Sequence, residues 1–107
     1  MRRMHMITPK QRKYLKGLAQ DLSPIVMIGK AGLTDNIYTE MRNALRTREL
    51  VKVKLQEGCD LDPKETANKL AADLGAEFVQ AIGRKFVLYK KTDDEKYKAK
   101  SIVLPRG

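Results

Sequence analysis

The sequence predicts an α/β fold: a single domain with the element order α-β-α-β-α-β-β, in which helices pack on a mixed four-stranded sheet. Three observations predict this. The chain of 107 residues fits one compact domain, and with 42% hydrophobic residues it can bury a core. Segments with helical spacing of apolar residues alternate with short apolar segments typical of strands. Only Gly83, Arg84 and Lys85 separate the last two strand-like segments, which is typical of a hairpin.

The first helix is predicted to begin at a capping motif, Thr8-Pro9-Lys10-Gln11. Thr8 can cap the helix, Pro9 suits the first helical position, and the Gln11 side chain can bond back to the cap. The pair Ser23-Pro24 predicts the end of this helix. Its expected core face carries Leu15, Leu18 and Leu22.

The first strand is predicted at Ile25 to Ile28, and its uninterrupted apolar character indicates a central strand that is covered on both faces. A glycine-rich loop follows. Helical spacing then predicts a second helix from about Thr34 to Arg48. Arg42 and Arg46 are expected one turn apart on its outer side.

The second half of the chain supplies one more helix and three more strands. Val51 to Leu55 alternates between apolar residues and lysines, which predicts a strand with one solvated, basic face. The stretch Asp62-Pro63-Lys64-Glu65 predicts a capping box at the start of the third helix, and Gly75 predicts its end. The last two strands are expected at Glu77 to Ile82 and Phe86 to Lys90. Helices between the first three strands predict right-handed parallel crossovers, and the final hairpin adds an antiparallel strand.

Three segments are expected along the chain: a flexible basic leader at 1–6, the domain at 7–91 and a charged tail at 92–107. The charged residues TDDEKYKAK are expected to be solvated, whereas the sequence leaves open whether Ile102 to Leu104 dock on the domain. The longest apolar run is four residues, and the start lacks the apolar stretch of a signal peptide. We therefore expect a cytoplasmic protein without a membrane partner.

The charge balance predicts a polyanionic partner. Lys and Arg number 22 against 13 acidic residues, which gives a net charge of +9 and an isoelectric point near 9.8. Such a balance is typical of proteins that bind nucleic acid, although a domain can also be basic without such a partner. The single cysteine, Cys59, excludes an intramolecular disulfide.

The loop Gly29-Lys30-Ala31-Gly32 has three candidate roles: holding a nucleotide phosphate, contacting a nucleic-acid backbone, or forming a tight turn. A nucleotide-binding P-loop needs a glycine five positions before Gly29, where Pro24 stands, and a hydroxyl after Lys30, where Ala31 stands. The G-x-G-x-x-G dinucleotide fingerprint is also absent from the loop. The sequence therefore excludes nucleotide binding at this loop and leaves the other two roles open.

Three features of the loop favour a nucleic-acid backbone over a plain turn. The loop precedes a predicted helix, whose N-terminal N–H groups and dipole attract phosphate. Gly29 and Gly32 lack a β-carbon, so a sugar-phosphate backbone can approach closely. Lys30 adds a mobile positive charge between them. KH domains hold a single-stranded backbone at a G-x-x-G loop in this way.

Four stretches in order resemble the CRM domain, and in particular its short bacterial stand-alone form, the YhbY family. They are TPKQRKYLKGLA, IVMIGKAGLTDNI, ELVKVKL and LGAEFVQAIGRKFVLYKK. The resemblance covers about residues 7 to 91, and the final SIVLPRG also resembles the end of those short proteins. The family's G-x-x-G loop corresponds to Gly29, Lys30, Ala31 and Gly32 of this chain.

The resemblance implies an RNA-binding domain with a compact α/β fold similar to the C-terminal domain of bacterial translation initiation factor three. For the bacterial form it implies association with precursors of the large (50S) ribosomal subunit and a role in its assembly. Related plant domains serve organellar intron splicing. We prefer the ribosomal role, because this chain has one such domain and lacks a clear transit peptide.

Further basic residues are candidates for RNA contacts, each with an alternative role. Those of the first helix could equally form its solvated side, and Lys52 and Lys54 could instead discourage edge pairing of their strand. Arg84 and Lys85 stand at a hairpin tip. The RNA-binding candidates outside the glycine loop are Lys10, Lys13, Lys16, Arg42, Arg46, Arg84 and Lys85.

No catalytic group or metal site is expected. His5 stands alone in the leader, Cys59 lies beside carboxylates that disfavour its thiolate, and the acids at 93–95 fit a solvated tail. We therefore predict a monomeric RNA-binding protein that needs no cofactor, has no small-molecule substrate and binds ribosomal RNA in precursors of the 50S subunit. The alternatives are a cofactor for intron splicing or another structured RNA, and a small enzyme with a phosphate substrate.

Overall fold

The computed structural model describes residues 7–98 and 101–106 and contains the seven predicted elements in the predicted order. The predicted leader at 1–6, which includes His5, lies outside these residues. The helices are α1 (Pro9–Ala19), α2 (Asp35–Arg48) and α3 (Pro63–Leu74), and the strands are β1 (Val26–Ile28), β2 (Leu50–Leu55), β3 (Glu77–Ile82) and β4 (Lys85–Tyr89). The predicted α/β fold class is confirmed.

The strands form one mixed sheet in the order β1-β2-β4-β3. β1 and β2 are parallel, and β4 is antiparallel to both β2 and β3. The prediction that β1 is central is wrong, because it lies at an edge of the sheet. Its side chains alternate instead: Val26 and Ile28 are buried, whereas Ile25 and Met27 are about 40% exposed. Lys52 and Lys54 therefore lie on a central strand and have no edge to protect.

The larger core lies between the sheet and helices α2 and α3. β2 contributes the side chains on one of its faces, and β4 contributes Phe86 and Leu88. From the helices, it includes the apolar faces of α2 and α3, which consist of Ile37, Met41, Ala44, Leu45, Ala67, Leu70, Ala71 and Leu74. This burial holds both helices on the same face of the sheet.

The smaller core lies on the opposite face, under α1. Leu15 and Ala19 of the helix pack on Leu50, Val79, Val87 and Tyr89 of the sheet. The prediction that Leu18 and Leu22 are core residues is wrong, since they are 38% and 37% exposed. Leu22 lies beyond the end of α1 at Ala19, and of the helix residues only Leu15 and Ala19 are buried, against the end of the sheet where β2 begins and β4 ends.

The expected side chains form the starts of α1 and α3 and the end of α3, whereas α1 ends at Ala19, four residues before the predicted Ser23. Thr8 and Gln11 make both bonds of the capping box, at 3.1 and 3.0 Å. Asp62 accepts a hydrogen bond from the Glu65 N–H at 2.9 Å, one of the two bonds of the predicted box. Gly75 ends α3 with φ +68°, a left-handed conformation that glycine adopts without steric cost.

The C-terminal segment is packed on the domain through Ile102 and Leu104, a point that the sequence leaves open, whereas most charged residues of 92–98 are exposed, as expected. Ile102 and Leu104 pack against the smaller core, the Gln11 side-chain amide donates to the Pro105 carbonyl at 2.9 Å, and Thr92 is buried. The tail thus completes the layer that α1 begins. In the part of the chain that the structure describes, no helix is long and apolar enough to cross a bilayer.

A buried carboxylate, that of Glu49, holds this segment. One of its oxygens accepts from the Thr92 N–H at 2.7 Å and the Ser101 hydroxyl at 2.8 Å, and the other accepts from the Ile102 N–H at 2.7 Å. Glu49 caps α2 with φ +64° and ψ −44°, which is unfavourable for a residue other than glycine. The three hydrogen bonds to a charged acceptor offset this strain.

We expect Glu49→Gln to lower the free energy of unfolding by about 2 kcal/mol, because all three partners are donors and the amide NH₂ would face one of them. Urea unfolding measures the change. Glu57→Gln is the matched control, since Glu57 is exposed in a loop. Equal stability of the two variants would show that the Glu49 bonds do not hold the tail.

Alkaline pH offers a second test of the packed tail. Burial, followed by the negative charges of Glu49 and Glu77, raises the pKa of Tyr89 from 10.0 to about 12. Because the folded pKa is raised, the stabilising effect of the neutral phenol is complete below pH 10 and is lost as pH rises through 12. We expect the free energy of unfolding to fall across this window. Compared with the wild-type protein, the fall in unfolding free energy should be smaller in Tyr89→Phe. It should be the same as in the wild type in Tyr14→Phe, because Tyr14 is exposed.

Candidate nucleic-acid interface

The loop from Gly29 to Gly32 forms a tight turn at the end of β1. The Gly32 N–H donates to the Gly29 carbonyl at 3.0 Å, so Lys30 and Ala31 stand at the tip, and both are exposed. Gly32 has φ +76°, whereas Gly29 does not have positive φ. The turn and the backbone-contact roles are therefore compatible: one glycine is needed for the conformation, and the lysine is presented to solvent.

The N-terminus of α2 contributes less to an anion site than the sequence predicts. Leu33 and Thr34 separate the turn from the helix, and the Thr34 hydroxyl accepts a hydrogen bond from the Ile37 N–H at 3.3 Å. Asp35 adds a carboxylate to the first turn. Because both groups already serve the positive end of the helix dipole, the charge available for a phosphate comes from side chains.

Three loops meet at one end of the sheet: the glycine turn, the loop between β2 and α3, and the tip of the β3–β4 hairpin. The Gln56 N–H donates to the Ile28 carbonyl at 2.9 Å, and the Leu55 N–H donates to the Arg84 carbonyl at 2.8 Å. The Arg84 guanidinium also donates to the Cys59 carbonyl. The hairpin tip is thereby joined to the loop between β2 and α3, and Arg84 has a structural role beside any contact with RNA.

The structure brings some predicted RNA-binding residues together and adds Lys52 and Lys54, for which the sequence leaves RNA contact and edge protection open. Lys30, Arg84 and Lys85 lie at this end of the sheet, and the β2–β4 register places Lys54 directly opposite Lys85. Lys52 lies on the same face, two residues before Lys54 along β2. Their shared location follows from the central position of β4, which alternation within β2 alone cannot reveal.

The lysines of α1 are exposed on a different surface. Lys10 and Lys13 extend from the outer side of the helix, and neither lines the groove beside β3. Lys16 lines that groove together with Arg12 and Lys64. The structure therefore does not place Lys10 and Lys13 with the glycine turn, and their contact with RNA stays a prediction.

Arg42 lies near the middle of α2, and Arg46 lies toward its far end. At 1.5 Å per residue, Arg46 is about 16 Å along the axis from the start of the helix beside the turn. Its guanidinium pairs with Asp94 at 2.9 Å and lies over the Tyr97 ring. Hydrogen bonds from the backbone N–H of Lys96 and from the Arg46 guanidinium hold the pKa of Asp94 below its usual value. Arg46 thus binds the C-terminal segment.

The chemistry of this end of the molecule is that of binding a polyanion. Lys30 makes no ion pair with any residue in 7–98 or 101–106. Within those ranges no cluster of three His, Cys, Asp or Glu residues could hold a metal ion, and Cys59 is a buried, free thiol. The side chains present supply positive charge and hydrogen-bond donors for phosphate oxygens.

Comparisons with known proteins agree with this chemistry. A model of the CRS1 / YhbY (CRM) domain matches residues 7–90. "Probable RNA-binding protein YqeI" of Bacillus subtilis is 37% identical over 91 residues, which cover 85% of this chain and 95% of that protein. A Haemophilus influenzae protein named "RNA-binding protein" is 40% identical over 104 residues, which cover 96% and 99%.

A solved structure has the same fold. The solution structure of SAV1595 from Staphylococcus aureus superimposes with a TM-score of 0.75 at 37% sequence identity. The match covers 94% of this chain and all of that one. The similarity extends beyond bacteria, since the chloroplastic CRM-domain factor CFM2 of Arabidopsis thaliana is 27% identical over 84 residues, which are 8% of its length.

The two glycines of the turn are expected to differ in their effect on stability. Gly32→Ala should lower the free energy of unfolding by about 1 kcal/mol or more, since alanine is disfavoured at φ +76°. A β-carbon at Gly29 would meet only the end of the flexible Gln56 side chain, at 3.2 Å, so Gly29→Ala should cost less. Thermal melting followed by circular dichroism compares them. A larger loss in Gly29→Ala would contradict the assigned geometry.

Proposed function

The chain belongs to the CRS1 / YhbY (CRM) family, and from this premise we propose that it is an RNA-binding protein that acts in ribosome biogenesis. Its partner would be ribosomal RNA in precursors of the large (50S) subunit, bound in the cytoplasm by a monomer. The relatives are named RNA-binding proteins, so binding RNA, and not catalysis, is its activity. It would favour some RNA conformations of an immature particle over others.

The observation that carries this proposal is the basic end of the sheet. The exposed tip of the glycine turn presents Lys30, while the sheet presents Lys54 and Lys85 at the same end. A net charge of +9 adds the long-range attraction that brings RNA to this surface. Bacterial relatives that match over nearly their full length favour the role that the resemblance implies for the short bacterial form.

A cofactor role for intron or other structured RNA is the second candidate. It is favoured by the similarity to the chloroplastic factor CFM2, which contains the same type of domain. That domain is a small part of a much longer protein, whereas the match to the Haemophilus influenzae relative covers 96% of this chain and 99% of that protein. The ribosomal partner is therefore preferred.

Cross-linking in growing cells distinguishes the two. The tagged protein is cross-linked to RNA by ultraviolet light, purified under denaturing conditions, and the bound RNA is sequenced, while gradient fractions are probed for the protein. We expect reads from large-subunit ribosomal RNA and sedimentation with immature 50S particles. Reads dominated by introns or other structured RNAs, with the protein absent from those particles, would overturn the ribosomal role.

Lys30 is expected to contact a phosphate and not a base, because a lysine is a mobile point charge poorly suited to bidentate base recognition. Lys30→Ala should weaken binding to three unrelated RNAs by a similar factor and reduce the slope of log K against log salt by about 0.7. Lys30→Arg should retain most of the affinity. Fluorescence anisotropy over a salt series measures both quantities.

The matched control for Lys30→Ala is Lys69→Ala. It removes the same charge from α3, where Lys69 pairs with Asp73 at 3.2 Å. Loss of preference for one RNA with the others unaffected would make Lys30 a specificity residue. If Lys30→Ala binds RNA with the same affinity as Lys69→Ala, the glycine turn is not part of the interface.

A further inference from the structure

Half of the sheet face that carries α1 is left uncovered. α1 and the C-terminal segment cover the end that contains Leu50 and Tyr89. At the opposite end, the register aligns one residue from each strand in a row: Met27, Lys54, Lys85 and Ile82, from β1 through β2 and β4 to β3. We call these four residues and Lys52 the open row. At about 4.8 Å per strand, the row is about 14 Å long.

The charge of the open row is of one sign. A groove over its lysines and Ile82 has a volume of about 530 Å³, and four cations and no carboxylate line it: Lys52, Lys54, Arg84 and Lys85. None of its lysines belongs to an ion pair among the residues that the structure describes. Lys54 and Lys85 are directly opposite each other, an arrangement in which like charges destabilise a sheet. A bound phosphate between them would relieve this repulsion.

Apolar side chains flank the charged pair. Met27 is 42% exposed at one end of the row, and Ile82 is 68% exposed at the other. Single exposed apolar residues need no explanation, but here the strand register places two of them on either side of paired lysines. Duplex RNA keeps its bases stacked inside, so it would offer these side chains no apolar partner. An unpaired strand offers both base faces and phosphates.

We propose that the open row binds a single-stranded segment of RNA, with phosphates at Lys54 and Lys85 and unpaired bases against Met27 and Ile82. This inference rests on the proposed function and adds to it the form of the RNA and a second contact surface. The RNA strand would continue from the glycine turn onto the open row, because only Ile28 separates Met27 of β1 from Gly29. A continuous path over the turn and the row would favour unpaired regions of an immature RNA over its finished helices.

The test compares binding of a single-stranded RNA of about twelve nucleotides with binding of the duplex of the same sequence. Lys54→Ala and Lys85→Ala should each weaken binding of the single strand about five-fold at 0.1 M salt, the effect of one contact with a slope of 0.7. Ile82→Thr keeps a β-branched residue in the strand and should weaken it about four-fold, with the salt slope unchanged. Duplex binding should change less in all three variants.

Lys69→Ala, on the other side of the sheet, is the control for charge, and circular dichroism melting confirms that each variant folds. Absence of RNA binding by the wild-type protein would overturn the proposed function itself. If Lys30→Ala weakens binding but the three row variants match Lys69→Ala, the proposed function stands and the open row is wrong. Equal losses with single strand and duplex would overturn the single-strand specificity.

One further result would assign the open row to a different partner. If the row variants bind free RNA as the wild type does but no longer sediment with immature ribosomal particles, the row contacts a protein on the particle. That outcome would overturn the RNA assignment, because the loss would then come from a partner that the free oligonucleotide lacks.

Discussion

The fold depends on the position of β4, the last strand in the chain and yet a central one in the sheet. It pairs with β2 on one side and β3 on the other. Phe86 and Leu88 enter the larger core, while Val87 and Tyr89 enter the smaller one, and all four are at most 4% exposed. Because side chains alternate, a slip of one residue would exchange these two pairs between cores of different shape, so burial fixes the register.

The same register determines the charged surface. Once Leu50 is opposite Tyr89 in the covered half of the sheet, alternation places Lys54 opposite Lys85 in the uncovered half. The hydrophobic cores therefore hold two like charges together at some cost in stability, a cost that an anionic partner can reverse. Core packing and the binding surface are in this way consequences of one strand pairing, and the glycine turn lies at the same end of that sheet.

Local structure was largely predictable from the sequence, because its causes are local. The cap at Thr8, the helix end at Gly75 and the alternation in β2 depend on residues a few positions apart, and each was found as predicted. The same applies to the exposed Lys30 between two glycines. The family resemblance added the domain type, and a match over residues 7–90 confirmed it. The charge of +9 indicated a polyanionic partner without any structural information.

The sequence by itself thus determined the elements, their order, the turn and the sign of the charge. Only the tertiary structure decided which strand is central, which half of the sheet stays open, and that Glu49 binds the C-terminal segment from 43 to 53 residues away. It also separated Arg46, held by Asp94, from the basic end that contains Lys54 and Lys85. These features are pairings between distant segments, which the burial of a shared core selects and which no local pattern encodes.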